Sequence, residues 1–592
     1  MKKRSIQWIA GFLSLLILAG CSGKSAIDAA PTAKAPAEES VPAASMEPIS
    51  SGEGPETEAA TEDHPFGSAG EEIPRSDGVH ADMDYADMEW YLYDMTEFNA
   101  AADRLSATVD EAEAQRLYDW LMTEYRRLDT LDELAWIDFY AYGTEADQEA
   151  CRVTDELLRT AGDTMYAAIS NALTGGVAGE FSSFVGEEVS DALTDYEEMT
   201  DREMELLNRE TELELQYNDL LSRTDLSGPE MNYRAGEILL ELVAIRNELA
   251  GIYGYDSFAD YAYEAYYGRD FSPADAAALC EAMKPYAKRY FENCCYCDAF
   301  YVDMGSAAER TPEQLIDLLG YYAPQISPAA AEAQRYMERH GLYLLGSAEE
   351  IAELGFTTTL NLYNAPFLYN SLYGNIYDIQ STFHEFGHYY DAYINQSENP
   401  LTDVGSFDIF EIHSTSLEAL SYGWYDEIFG DKAEEARITC LDGLIYNVVT
   451  GCIYDEFQQY VYTHPDMTVE ELNSVYSQIS DTYGRKIWSR SDSYEWMNVS
   501  HTFESPFYYV SYAVSTLASL QIWAKAQWDR DAALALYNDL VSRGAYELGY
   551  CELLRSLGLA VFTDDGLDEC IGEAYDALEE MCLRYDGRAE AA

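Results

Sequence analysis

Residues 381–394 read STFHEFGHYYDAYI, and His384, Glu385 and His388 within them carry the side chains best suited to chemistry. On an α-helix, residues four apart lie about 40° apart around the axis and about 6 Å along it. His384 and His388 therefore project from one face, where two imidazoles can ligate Zn²⁺ at about 2.0–2.1 Å. Glu385 points to the side, placed to take a proton from a water on that metal without ligating it. Gly387 removes a side chain at a helix cost of about 1 kcal/mol relative to Ala, and it lets another backbone approach. The competing reading is an amphipathic helix with two ordinary histidines. Scarcity weakens it, because only six of the chain's eight histidines fall in its folded part.

A hydrolytic zinc site of this kind needs a third protein ligand and one open position. No histidine follows soon after His388. DIFEIHSTSLEAL, residues 408–420, is a second helical pattern, and its Glu411 lies 23 residues past His388. Ser414 and Glu418 share its face at i+3 and i+7 and could orient the ligands. Asp403, Asp408, Glu418 and His413 are alternatives that spacing leaves open. Asp391, three residues after His388, is a further orienting candidate. A third cluster, WMNVSHTFESPFYYVSYA at 496–513, offers His501 with Tyr508, Tyr509 and Tyr512 as neutral donors for a developing oxyanion. In a chain with 49 tyrosines, core packing would give such a cluster too.

These residues need a scaffold, and the surrounding sequence predicts a mainly α one. Residues 110–131, 200–222 and 228–254 carry apolar side chains at three- and four-residue spacing. Ser272-Pro273, Thr311-Pro312 and Ser327-Pro328 each place a hydroxyl N-cap before a proline at the first helical position. Thr468 with Glu471 forms a capping box, and Gly341 suits a helix C-terminus. One stretch departs from this. GFTTTLNLYNAPFLYNSLYGN, residues 355–375, is rich in Thr, Tyr and Phe and predicts two strands, near 356–363 and 366–373, just before the histidine-bearing helix. The CCYC run, Cys294, Cys295 and Cys297, lies in a helical pattern without a second cluster to complete a metal site, and reads as buried or half-buried thiols.

Three blocks of this sequence resemble the thimet oligopeptidase and oligoendopeptidase F group of zinc metallopeptidases, most closely the oligoendopeptidase F branch. The first runs from PFLYNSLYGN through DIQSTFHEFGH, with Pro366, Gly374, Asp378 and His384 at the branch's relative positions. The second is EIHSTSLE, whose first Glu matches the family's third zinc ligand and so selects Glu411. The third, WMNVSH followed by PFYYVSYA, resembles the family's substrate-binding His and Tyr segment. The resemblance implies a large helical ellipsoid split by a deep substrate channel, with a small β-sheet beside the His-Glu-x-x-His helix. It implies one Zn²⁺ on His384, His388 and Glu411, and Glu385 as general base. His501 and one or two of the tyrosines, with Tyr508 and Tyr512 assigned, would act at the oxyanion. Short peptides are the expected substrates, and the 366–373 strand is expected to pair with their backbone. An inactive peptide-binding lipoprotein of the same fold, or a related helical metallocarboxypeptidase, would use the same scaffold.

The N-terminus predicts export. MKKR precedes an apolar run too short to span a bilayer comfortably, and LAGC at 18–21 resembles a bacterial lipobox that would make Cys21 the lipidated mature N-terminus. Residues 1–20 are then a signal peptide and 21–85 a disordered Pro-, Ala- and Glu-rich tether, which is why His64 and His80 are set aside as ligands. Residues 86–592 form the metallopeptidase body, with its catalytic core at about 340–530. The expected location is the bacterial cell envelope, with the body outside the cytoplasm. With 35 Lys and Arg against 108 Asp and Glu, the net charge is −73, which excludes nucleic acid as a partner. Oligomeric state and disulfide pairing have no sequence signal here.

Overall fold

The computed structural model describes residues 80–194, 196, 199–223, 225–395, 405–546 and 548–587. The expected signal peptide, Cys21, Asp403 and all but the last residues of the expected tether lie outside these. Helices dominate, among them α1 (Glu111–Tyr142), α2 (Glu145–Thr174), α3 (Asp201–Ser222), α4 (Gly228–Ile252), α5 (Ile376–Ile394), α6 (Phe407–Ser421), α7 (Ala433–Thr463) and α8 (Tyr509–Trp528). Three strands, β1 (Tyr343–Ser347), β2 (Gly355–Leu360) and β3 (Ala365–Leu372), precede α5. No helix among the described residues is long and apolar enough to cross a membrane.

The predicted start and stop signals act as expected. Ser272, Thr311, Ser327 and Thr468 cap their helices through side-chain oxygens. Gly341 ends its helix in the left-handed region at φ 61°. Buried apolar side chains form two clusters, a large one and a smaller one built from Phe98 to Leu193. Helix α1 runs from one to the other: Leu117, Leu121 and Leu128 belong to the small core and Leu134, Trp136 and Ile137 to the large one.

The sheet has the order β1-β3-β2, with β1 parallel and β2 antiparallel to β3. The two predicted strands are present with bounds one to three residues from those expected, and β1 joins them as a third. Residues 361–364 turn the β2–β3 hairpin, and Asn364 takes the positive φ of 55° that the turn needs. Side chains alternate between the faces of the hairpin. Phe356 and Tyr369 stack with centroids 4.7 Å apart on the α1 side, where Tyr369 Oη donates to Tyr140 O at 3.0 Å. Thr357 and Asn370 face α5. Because β3 is paired on both sides, it has no edge for an added strand, which corrects the expectation that 366–373 pairs with a peptide.

The body also begins earlier than residue 86. The ring nitrogens of His80 lie 2.6 Å from Asn364 O and 3.0 Å from Tyr393 O, and its ring stacks on Tyr393 at 4.0 Å. Ala81 N donates to Tyr363 O, and Tyr85 packs on Phe367. Residues 80–85, assigned by composition to the tether, are part of the fold.

Candidate metal centre

The turn from β3 into α5 is built around Asp378. Its carboxylate accepts from the backbone N–H groups of Tyr373, Gly374 and Asn375 at 2.8, 2.8 and 3.2 Å. Gly374 takes φ 71°, which a side chain would resist. Asn375 caps the helix by accepting from Tyr377 N at 2.8 Å. This fixes the rotation of α5, which turns His384 and His388 toward α6 and Glu385 toward β2.

Helix α6 crosses α5 at Gly387. A Cβ there would lie 2.5 Å from Ser414 Cα and 2.9 Å from His413 O, so only glycine allows this approach. The crossing carries Glu411 to the histidines. Its Oε2 lies 3.5 Å from His384 Nε2 and 3.7 Å from His388 Nε2, and the three ligand atoms lie within 4.8 Å of one another. Ligand atoms on a tetrahedral ion with zinc-type bond lengths sit about 3.3–3.5 Å apart, so the donor set fits Zn²⁺ in type and spacing. It is the one such group of three among the described residues.

The protonation states suit ligation. Burial lowers His388 to about 4, against the opposing pull of Glu411, which leaves the imidazole neutral at pH 7. For Glu411, burial acts upward, but His388, His384 and the Tyr508 hydroxyl together outweigh it and hold the carboxyl at about 2.

Around the ligands, Ser414 Oγ is 3.3 Å from Glu411 Oε2, and Glu418 Oε2 is 3.5 Å from His384 Nδ1. Asp391 is instead paired with His413, whose Nδ1 lies 3.0 Å away, and it also accepts from Asn395. Two ligand alternatives are thereby engaged elsewhere: His413 faces Asp391, and Asp408 pairs with Arg269. Glu385 is fully buried. Thr357 Oγ1 is 3.2 Å from its Oε2, and a Cβ at Gly355 would sit 3.0 Å from its Oε1. Strand β2 therefore backs the carboxylate that the sequence singles out.

The third cluster also gathers here, with one change of role. Tyr508 Oη donates to Glu411 Oε1 at 2.5 Å, so this hydroxyl orients a ligand rather than standing open as a donor. Tyr512 Oη and His501 Nε2 are 3.1 Å apart, and the rings of His501, Tyr508 and Tyr512 lie within 5.0–5.6 Å of one another. Thr357 and Gly355, which back Glu385, carry no motif of their own, although they lie in the one β-rich stretch.

Neither a scan against family models nor a search of curated proteins gives a match. Solved structures do match. A 3.1 Å X-ray structure provisionally named oligoendopeptidase F gives a TM-score of 0.71 at 23% identity, covering 86% of this chain and 100% of that one. PZ peptidase A, solved with an inhibitor, gives 0.71 at 20% identity over 85% and 100%. A structure from Bacillus anthracis str. Ames, also provisionally named oligoendopeptidase F, gives 0.68 at 20% over 86% and 100%. The chain has the oligoendopeptidase F fold. The expectation of a mainly helical body with a small sheet beside the His-Glu-x-x-His helix is met. At these identities the oligoendopeptidase F likeness speaks to the fold, and the chemistry rests on the side chains of the centre.

Proposed function

We propose that this protein is a zinc metalloendopeptidase that hydrolyses short oligopeptides, and that it belongs to the family whose fold it shares. The observation that carries this reading is the convergence of His384, His388 and Glu411 with Glu385 one residue along the same helix. Bound there, zinc would supply a Lewis acid for the scissile carbonyl and a water acidified toward neutral pH. Glu385, held from behind by Thr357, is placed as the general base that would accept a proton from the attacking water and return it to the leaving amine. The His501–Tyr512 pair would donate to the developing oxyanion, while Tyr508 and Ser414 hold the Glu411 carboxylate beside the two histidines. A substrate strand would add to the outer edge of β2, since β3 is closed on both sides and β2 is the strand that touches Glu385.

Separately, from LAGC at 18–21, we propose that the protein is a lipoprotein, anchored through Cys21 and exported, with its body at the cell envelope. Substitution of Cys21 by Ser should then release the body into the soluble fraction.

The decisive test pairs zinc content with cleavage of an end-blocked fluorogenic peptide, for wild type and Glu385→Gln. Stoichiometric zinc in both is expected, with activity falling by about 10²–10⁴-fold in the variant. Absence of zinc from both would overturn the reading, and zinc with no cleavage of any peptide would leave a binding protein.

A further inference from the structure

Arg269 lies far from the metal-binding helices in sequence and belongs to none of the three motif blocks. Its guanidinium is fully buried, as is the carboxylate of Asp408, and its Nε lies 3.2 and 3.3 Å from the two Asp408 oxygens. Its Nη2 donates to Phe507 O and to Ser511 Oγ, both at 2.9 Å. Tyr263 and Tyr267 sandwich it, their ring centroids 4.4 and 4.5 Å from Cζ. One side chain thus joins two segments that must meet at the metal. Asp408 is in the first turn of α6, one turn before Glu411. Phe507 immediately precedes Tyr508, whose hydroxyl is on Glu411 Oε1.

The backbone between them is strained. Phe507 has φ 67°, in a region that a bulky residue rarely adopts. Such a conformation persists only where its surroundings hold it, and here the holders can be named. Arg269 binds the carbonyl of Phe507, Gln458 Oε1 accepts from its N–H, and Tyr267 Oη donates to Pro506 O at 2.9 Å. Released from that conformation, residue 508 would leave the α8 start at a different angle, and its hydroxyl would miss Glu411.

We propose that Arg269 is a positioning residue for the metal centre. It locks the first turn of α6 to the strained Phe507 peptide, so that Tyr508 holds Glu411 and the His501–Tyr512 pair stands beside it. This rests on the proposed zinc centre, but its first consequence concerns geometry alone. A planar guanidinium can serve Asp408, Phe507 O and Ser511 together, whereas an ammonium cannot span them.

The test uses Arg269→Lys, Tyr508→Phe and their double variant, with Arg269→Met/Asp408→Asn in case loss of the fork leaves Asp408 too costly to bury. Three readouts apply. The crystal structure of the Arg269 variant should show the Tyr508–Glu411 hydrogen bond broken, and this needs neither metal nor activity. Zinc affinity by chelator competition should fall about 10–100-fold in each single variant, and the double variant should lose no more than either single one, because both act through one contact. In peptide cleavage, kcat should fall by a similar factor while KM stays within about twofold. An intact Tyr508–Glu411 bond in the variant, or losses that multiply in the double variant, would overturn the proposal. If wild type itself binds no zinc, the functional reading fails, and the crystallographic comparison still decides the role of Arg269.

Discussion

His384 turns Nε2 toward Glu411 and Nδ1 toward Glu418, which lies 3.5 Å away. A carboxylate on the far nitrogen fixes the tautomer and raises the basicity of the ligating one. Glu418→Gln should therefore fold normally and lose about 10–100-fold in zinc affinity, measured by chelator competition; an unchanged affinity would remove Glu418 from the centre. A second residue sets a pH dependence. Buried Asp455 accepts from Tyr263 Oη at 2.5 Å and Gln459 Nε2 at 2.6 Å, yet burial outweighs these bonds and Arg269 and pushes it up to about 6. Its folded value lies above its unfolded one, so its contribution is present in full below about pH 4 and is lost as pH rises to about 6. The change is about 3 kcal/mol. Urea unfolding of the metal-free protein should show this drop in wild type and not in Asp455→Asn. At this scale the candidate ligand types and the proposed general base are legible from spacing. Spacing does not separate Glu411 from Asp408 or His413, because that choice is made by partners, Arg269 from a loop and Asp391 from α5, distant in sequence or on another helix. Tyr508 is legible as a donor but its target is not, since that depends on the Phe507 turn.

Between α5 and α6 the centre exists only because two helices approach at Gly387. A methyl there would meet backbone, Ser414 Cα at 2.5 Å, which cannot rotate away. Gly387→Ala should therefore cost about 1–3 kcal/mol despite the better helix propensity of Ala, and should weaken zinc binding by moving Glu411 off the histidines. Gly443→Ala in α7 is the control: a Cβ there meets nothing within 4 Å, and the change should be neutral or stabilising by up to about 1 kcal/mol. Urea unfolding of both variants checks the pair. Helices and their ends are legible because capping is local, a hydroxyl and the N–H three residues on. Strand β1 is not. YLLGS is five residues, four of them half-buried and the last exposed, and it is ordered by parallel pairing to β3, more than twenty residues away in sequence. For the same reason sequence locates the β2–β3 hairpin but places the free edge on the wrong strand.

Over the whole molecule, the net charge of −73 is the property least tied to any one element. Spacing and caps predict the helical body, whereas composition extends the expected tether to residue 85. His80 and Tyr85 dock through a few specific contacts that an average over a polar segment hides. The charge itself has a kinetic consequence. A strongly anionic surface attracts a cationic peptide from beyond contact distance and raises its rate of encounter, and this attraction fades once the Debye length, about 10 Å at 0.1 M salt, falls below the approach distance. For a peptidase of the kind proposed, kcat/KM contains the encounter step. Two end-blocked peptides of equal length, one carrying several Lys or Arg residues and one neutral, should therefore diverge. Between about 10 and 200 mM NaCl, kcat/KM should fall roughly tenfold for the basic peptide and stay nearly constant for the neutral one, with kcat unchanged for both. Equal salt dependence for the two peptides would mean that the anionic surface plays no part in substrate capture, and that its charge serves solubility alone.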